Sequence, residues 1–244
     1  MGAQWKAPIK AAQAAKKGAI IGKLTKEIIV AAKLGGPDPN SNFRLRGAME
    51  DARKNSVPRD TIERAVKRGA GLLDEPVNYE TIIYEGFAPH QVPIMVECLT
   101  DNRNRTFADI RGVFRKGQLG SAGSVAWMFD HKGVVEAHFK DKGADLESVA
   151  IEAGADEVIA IKPGEGQPTD GALARFTCGA SELNTVNEFL NKSGWNILSS
   201  EMSYIAKNFV DLSGDQLKEV TEFLAGVDEN DDVHRIYVGL KPQE

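Results

Sequence analysis

The spacing of apolar residues changes character once along this 244-residue chain, and that change constrains the fold more than any other feature. Up to about residue 73 the apolar positions recur at three- and four-residue steps, the period of a helix with one face buried. Ile20, Ile21, Leu24, Ile28 and Ala31 or Ala32 form the first such series, which Gly35-Gly36-Pro37 stops. Ser41 or Asn42 can cap a second, with Phe43, Leu45, Ala48, Met49 and Ala52 on its apolar side. Pro58 stands near the start of a third, which buries Ile62, Ala65 and Val66 and ends in Gly69-Ala70-Gly71. Three short helices of this kind make one bundle, preceded by a basic arm that holds Trp5, Lys6, Lys10, Lys16 and Lys17.

After Asp74-Glu75-Pro76 the period becomes two, with strands separated by amphipathic helices. Residues 81–88 and 93–100 read as a strand pair around the Pro89-His90 turn. A helix follows over 105–116 with Phe107, Ile110 and Phe114 inward, and 124–130 returns as a strand. Next come strand 134–139, helix 145–153, strands 157–161 and 172–178, helix 181–191 and strand 196–205. That βαββαβ order is the ferredoxin-like plan. The tail adds a helix over 213–224 and a strand over 234–240. If the tail returns to the earlier strands, the middle domain is discontinuous. The expected fold is therefore α+β: an N-terminal three-helix bundle (1–75) followed by two ferredoxin-like α/β domains. The third (133–206) is inserted in the second (76–132 plus 207–244).

Charge is divided along the same line. Residues 1–73 hold 15 Lys and Arg against 6 Asp and Glu, a balance of +9, whereas the remainder holds 15 against 29, a balance of −14. A field of that sign on a small unit attracts polyanions, and neutralising phosphates releases condensed counterions. The candidate nucleic-acid contacts are Lys6, Lys10, Lys16, Lys17, Lys23, Lys26, Arg44, Arg46, Arg53, Lys54, Arg59, Arg64, Lys67 and Arg68. A solvated lysine-rich face is the plain structural alternative. Trp5 suits either stacking on a base or capping the bundle core.

Signals for catalysis or metal binding are sparse. The sequence has no Walker loop, dinucleotide fingerprint or zinc spacing. His90, His131, His138 and His234 are scattered, and Cys98 and Cys178 each sit in an apolar run that reads as a buried strand. Adjacent acids such as Asp228-Glu229 and Asp231-Asp232 read as a solvated helix end. Neither a cofactor nor a metal nor a small-molecule substrate is expected. No window is apolar enough for a membrane helix, and the first residues lack a secretory signal, so the expected compartment is the cytosol. Among the α/β segments a single loop stands out, Thr100-Asp101-Asn102-Arg103-Asn104-Arg105-Thr106. Asn102, Arg103, Asn104 and Arg105 are a second candidate contact with phosphate or base, or else a helix cap with Asp101 pairing an arginine. Gly120-Ser121-Ala122-Gly123-Ser124 reads as a flexible turn.

Several of these segments together resemble the YebC family: Glu27-Ile28 with Ala31-Ala32-Lys33-Leu34-Gly35-Gly36-Pro37-Asp38-Pro39, Arg44-Leu45-Arg46, and Val57-Pro58-Arg59-Asp60-Thr61-Ile62-Glu63-Arg64-Ala65. Tyr84-Glu85-Gly86-Phe87, the run from Glu97 to Thr106, and Gly123-Ser124-Val125-Ala126 extend the match over essentially the whole chain. The resemblance implies three domains, the second discontinuous around the third, and no enzymatic activity. It also implies a regulator of gene expression. Some members are described as transcriptional regulators that bind promoter DNA, and others act in translation, at the ribosome on proline-rich stretches or as a mitochondrial activator of cytochrome oxidase synthesis. The sequence departs from the family at its start, where Gly2-Ala3-Gln4-Trp5-Lys6 replaces a Gly-His-Ser-Lys-Trp opening. That shifts the expected grip from the arm toward residues 44–68. A DNA-binding transcriptional regulator is the first functional expectation. A ribosome-associated translation factor holding rRNA or tRNA is the alternative, because no helix pair with a tight turn and a base-reading face stands out in the sequence.

Overall fold

The computed structural model describes residues 7–73, 78–163 and 168–241, with side chains from Lys17 onward. The first helix, α1 (Ala7–Gly35), is 29 residues long and so longer than expected. Its backbone is helical from Ala7, so most of the segment read as an arm is helix. Alanine is the best helix former, and Pro8 falls in the first turn, where its missing N–H costs nothing. The helix ends at Gly36, whose φ of +85° a residue with a side chain adopts only with strain. Asn42, not Ser41, then caps α2 (Phe43–Lys54). Its Oδ1 accepts from Leu45 N at 3.0 Å while its Nδ2 donates to Ala31 O and Gly36 O at 2.9 and 2.8 Å. One buried side chain thus closes the end of one helix and opens the next. Residues 55–58 turn the chain into α3 (Arg59–Gly69), which follows Pro58 directly.

Ile28, Ile29, Leu45, Ala48, Ala52, Val57, Ile62 and Ala65 are buried together, and Ile21, Leu24, Met49 and Val66 pack against them. Ile20 is exposed. Each fully buried Ile or Leu contributes roughly 2 kcal/mol. Close approach of α3 to α1 depends on Gly69, where a Cβ would stand 2.3 Å from Ile29 O.

Beyond the bundle lie two four-stranded sheets. In the first, β1 (Glu80–Ala88) pairs antiparallel with β2 (Val92–Thr100) around a turn in which His90 and Gln91 both have positive φ. Helix α4 (Arg103–Val113) follows, then the two-residue strand β3 (Gln118–Leu119). Of residues 124–130, expected as one strand, only Phe129 and Asp130 are strand, as the start of β4 (Phe129–Phe139), and a 3-10 turn (Ala126–Met128) precedes them. The cause is local. The buried Glu85 carboxylate accepts from Gly123 N at 2.7 Å and Val125 N at 2.9 Å, which removes those amides from any ladder.

Strand β4 opens the second sheet and is followed by α5 (Leu146–Ala153), β5 (Glu157–Ala160), β6 (Ala172–Cys178), α6 (Leu183–Lys192) and β7 (Asn196–Ala206). The spatial order is β5-β6-β4-β7 with every pairing antiparallel, the ferredoxin-like arrangement. Val135, Ala137, Ala174 and Phe176 face Val186 and Leu190 of α6 and Ala150 and Ala153 of α5. Trp195 stacks on Phe139 at 5.0 Å and meets Phe176 edge-on at 5.4 Å. The chain then returns through α7 (Gly214–Asp228) and β8 (Val233–Val238), which lies beside β2 to complete the first sheet in the order β3-β1-β2-β8. In that order β3, β1, β2 and β8 take the places that β5, β6, β4 and β7 hold in the second sheet. The chain divides into two compact units, one running to Val125 and resuming over Asp211–Ile236, the other comprising Ala126–Val210 and the segment from Tyr237.

Candidate nucleic-acid interface

In the first unit several charges of α1 and α2, those of Lys23, Lys26, Glu27 and Arg44, are answered from within. Lys23 Nζ donates to the carbonyl of Asp228 and pairs with its carboxylate at 3.2 Å. Lys26 Nζ lies 2.6 Å from Asp232 Oδ1 and donates to Asp231 O at 3.0 Å. Asp232 is only 4% exposed. It also accepts from Arg105 Nη2 at 3.0 Å and Thr106 Oγ1 at 2.8 Å. Burial raises the pKa of this carboxyl, but the hydrogen bonds from Lys26, Thr106 and Arg105 outweigh it and hold it below the ordinary value. A buried carboxylate persists only when paired in this way.

Arg44 is committed similarly. Its Nε lies 2.7 Å and its Nη2 3.1 Å from the two carboxylate oxygens of buried Glu27, a bidentate pair between α2 and α1. His234 Nε2, from β8, lies 3.0 Å from Glu27 Oε2 but off the direction of a good hydrogen bond, and has no hydrogen-bond partner among the described residues. Burial opposes ionisation of Glu27, yet His234 and Arg44 prevail and bring its pKa down to about 2.

Most of the bundle cations presented outward lie on α2 and α3. Arg53 and Lys54 are exposed at the end of α2, Lys54 Nζ 3.5 Å from Asp51. Arg59 is 90% exposed at its side chain and pairs with Glu63 at 2.7 Å in a contact that solvent screens. Arg64 and Lys67 are exposed, and Arg68 is half-buried. Arg46 lies over the Phe43 ring at 4.6 Å. Lys17 is exposed on α1. Lys6 and Trp5 fall outside the described residues, as do the side chains of Lys10 and Lys16. The basic residues in the last turns of α2 and α3 also complement the negative ends of their helices, so some of this charge serves the helices themselves.

In the loop 100–106, Asn102 caps α4 by accepting from Arg105 N at 3.1 Å, and Arg105 pairs with Asp101 at 2.9 Å as well as with Asp232. Both features of the structural alternative are present. Arg103 and Asn104 remain exposed, Arg103 3.8 Å from Glu80. Phe107, expected inward, is turned out and 46% exposed, because Thr106, Ile110 and Phe114 take the buried line of the helix. Sequence reasoning missed Asp228, Asp232 and His234 as partners of α1, because they lie about 205 residues away.

Cys98 and Cys178 are buried and unpaired, with burial first among the causes that push their thiols up to about 12 and about 11. Among the described residues no group of three or more His, Cys, Asp or Glu is placed to hold a metal, and no helix is long and apolar enough to cross a membrane.

Residues 2–72 match the model of the TACO1/YebC protein N-terminal domain, and residues 79–240 that of the TACO1/YebC second and third domain. The chain belongs to the TACO1/YebC family. A relative from Polaromonas sp. (strain JS666), named a probable transcriptional regulatory protein, is 50% identical over 98% of this chain and 99% of its own length. One of the same description from Bdellovibrio bacteriovorus is 47% identical over 98% of this chain and all of its own. The crystal structure of a conserved hypothetical protein from Aquifex aeolicus superposes with a TM-score of 0.76 at 38% identity, covering 94% of this TACO1/YebC chain and 93% of that one.

Proposed function

We propose that this TACO1/YebC chain is a cytosolic, non-enzymatic regulator of gene expression that binds the phosphate backbone of nucleic acid through the outward faces of α2 and α3, with promoter DNA as its target. The observation that carries the reading is the helix pair itself. The four-residue turn at 55–58 joins α2 to an α3 whose exposed face holds Arg59, Arg64 and Lys67. A helix pair joined this tightly suits presentation of its second helix to a duplex groove. The relatives' description as transcriptional regulators supports the same reading. Within the set expected from sequence, Arg53, Lys54, Arg64 and Lys67 carry the proposal, whereas Lys23, Lys26 and Arg44 hold the fold together.

The test is fluorescence anisotropy with labelled duplex DNA across a salt series. Replacing Arg53, Lys54, Arg64 and Lys67 together by alanine is expected to weaken binding and to reduce the slope of log K against log salt by up to about 0.9 per lost contact. Unchanged affinity and slope would remove this face from the interface. The second reading, a translation factor on rRNA or tRNA, is favoured by one observation: Phe107 is exposed beside arginines, which suits bases that are not paired.

A further inference from the structure

We infer that the outer side of α4 is a stacking site for an unpaired nucleotide, formed by Phe107 between Arg103 and Arg111 with Tyr84 beneath it. This rests on the reading of the chain as a nucleic-acid binder and adds a surface separate from α2 and α3.

Arg103, Phe107 and Arg111 follow one another at four-residue steps, so they stand in a row on one side of the helix. All three are exposed. The Phe107 ring lies 6.3 Å from that of Tyr84 on β1 at a tilt of 35°, which braces it, while the side chain keeps about half its surface exposed. Arg103 stands 3.8 Å from Glu80, a long and exposed pair that solvent screens. Asp109 lies about 200° around the helix from Phe107 and does not face the row. An exposed phenylalanine is by itself unremarkable. Guanidinium groups one turn above and one turn below it make a surface that is apolar at its centre and cationic at both ends.

That pattern matches a nucleotide strand, whose flat bases alternate with phosphates. It does not match a duplex, where each base already stacks on its neighbours and offers no face to an aromatic side chain. The occupant is therefore an unpaired strand, either RNA or locally melted DNA, with one base on Phe107 and the flanking phosphates on Arg103 and Arg111.

The full-length chain is titrated into fluorescein-labelled unstructured RNA and DNA oligonucleotides of about 12 nucleotides, and into a duplex of equal length. Phe107→Ala is expected to weaken the unpaired probes about tenfold and the duplex less than twofold, with Phe107→Trp restoring affinity. The RNA and DNA probes separate the two sources of an unpaired base by which loses more. Phe107→Leu keeps an apolar side chain against Tyr84 and loses the ring. Its unfolding midpoint is expected to match wild type while its binding follows Phe107→Ala. Equal loss on duplex and single strand, or no loss on either unpaired probe, overturns the inference. If the Arg53, Lys54, Arg64 and Lys67 variant loses binding while Phe107→Ala does not, only this inference fails. If the wild-type chain binds none of the probes, the nucleic-acid reading fails with it.

Discussion

Glu27 keeps its charge in a site where an isolated carboxylate would take up a proton, and it does so because Arg44 and His234 reach it from α2 and β8. Its pKa is about 2 in the folded chain against an ordinary 4.5. Because the folded value is the lower one, the stabilisation is complete above about pH 4.5 and is lost as pH falls toward 2. A shift of that size corresponds to about 3 kcal/mol, similar to the cost of removing one partner from a buried pair. Glu27→Gln is therefore expected to lower stability by about 3 kcal/mol at neutral pH and to flatten its decline between pH 5 and pH 3. Urea unfolding over that range measures both. The slope left in the variant belongs to Asp232 and Asp145, whose pKa values are also lowered. A variant that lost stability in parallel with wild type at every pH would show that the Glu27 charge is not what the site protects.

Between elements, the bundle depends on how closely α3 meets α1, and two glycines separate contact from propensity. At Gly69 an added Cβ would stand 2.3 Å from Ile29 O and 2.8 Å from Ala32 Cβ, so the helices must part. At Gly47 on α2 nothing lies within 4 Å. Alanine gains about 1 kcal/mol over glycine inside a helix. Gly47→Ala is therefore expected to raise stability by roughly 0.5–1 kcal/mol, and Gly69→Ala to lower it by roughly 1–2 kcal/mol once the steric cost is included. Urea midpoints of opposite sign are the expected outcome, and midpoints of the same sign would remove the close approach as a determinant of the bundle. Elements of this kind are legible in the sequence where the signal is local. The cap near Asn42, the start of α3 after Pro58 and the span of β6 follow from capping, proline and period-two rules. Three features are not legible, each because its cause lies elsewhere in the chain. Residues 124–130 alternate like a strand, yet Glu85, some forty residues earlier, takes the amides of Gly123 and Val125 at their start. Phe107 reads as core by type, but Thr106 is buried in its stead through a hydrogen bond to Asp232. Lys23, Lys26 and Arg44 read as phosphate ligands although Glu27 is close to the two lysines in sequence, and the carboxylates that hold them, Asp228, Asp232 and, for Arg44, Glu27 itself, become visible as partners only in three dimensions.

For the molecule as a whole, the order of the chain means that the first unit is finished last. Strand β8, at the edge beside β2, and the acids that hold Lys23 and Lys26 all lie beyond residue 210, after most of the second unit. Every strand pairing of the second sheet is made within residues 129–206. Because these partners come last in the chain, the first unit cannot reach full stability until the chain returns. A chain ending at Val210 would leave Glu27 without His234 and Arg105 and Thr106 without Asp232. In that truncated chain, hydrogen exchange is expected to speed up by about 100-fold or more at the amides of Ile28–Ala32 and Ile94–Leu99, as losses of about 3 kcal/mol would produce. Amides of Val134–Ala137 and Ala174–Cys178 are expected to stay protected, since their partners are all present. Protection lost evenly over both sheets would mean that the two units fold as one, and protection kept at Ile28–Ala32 would mean that the bundle does not need the returning segment.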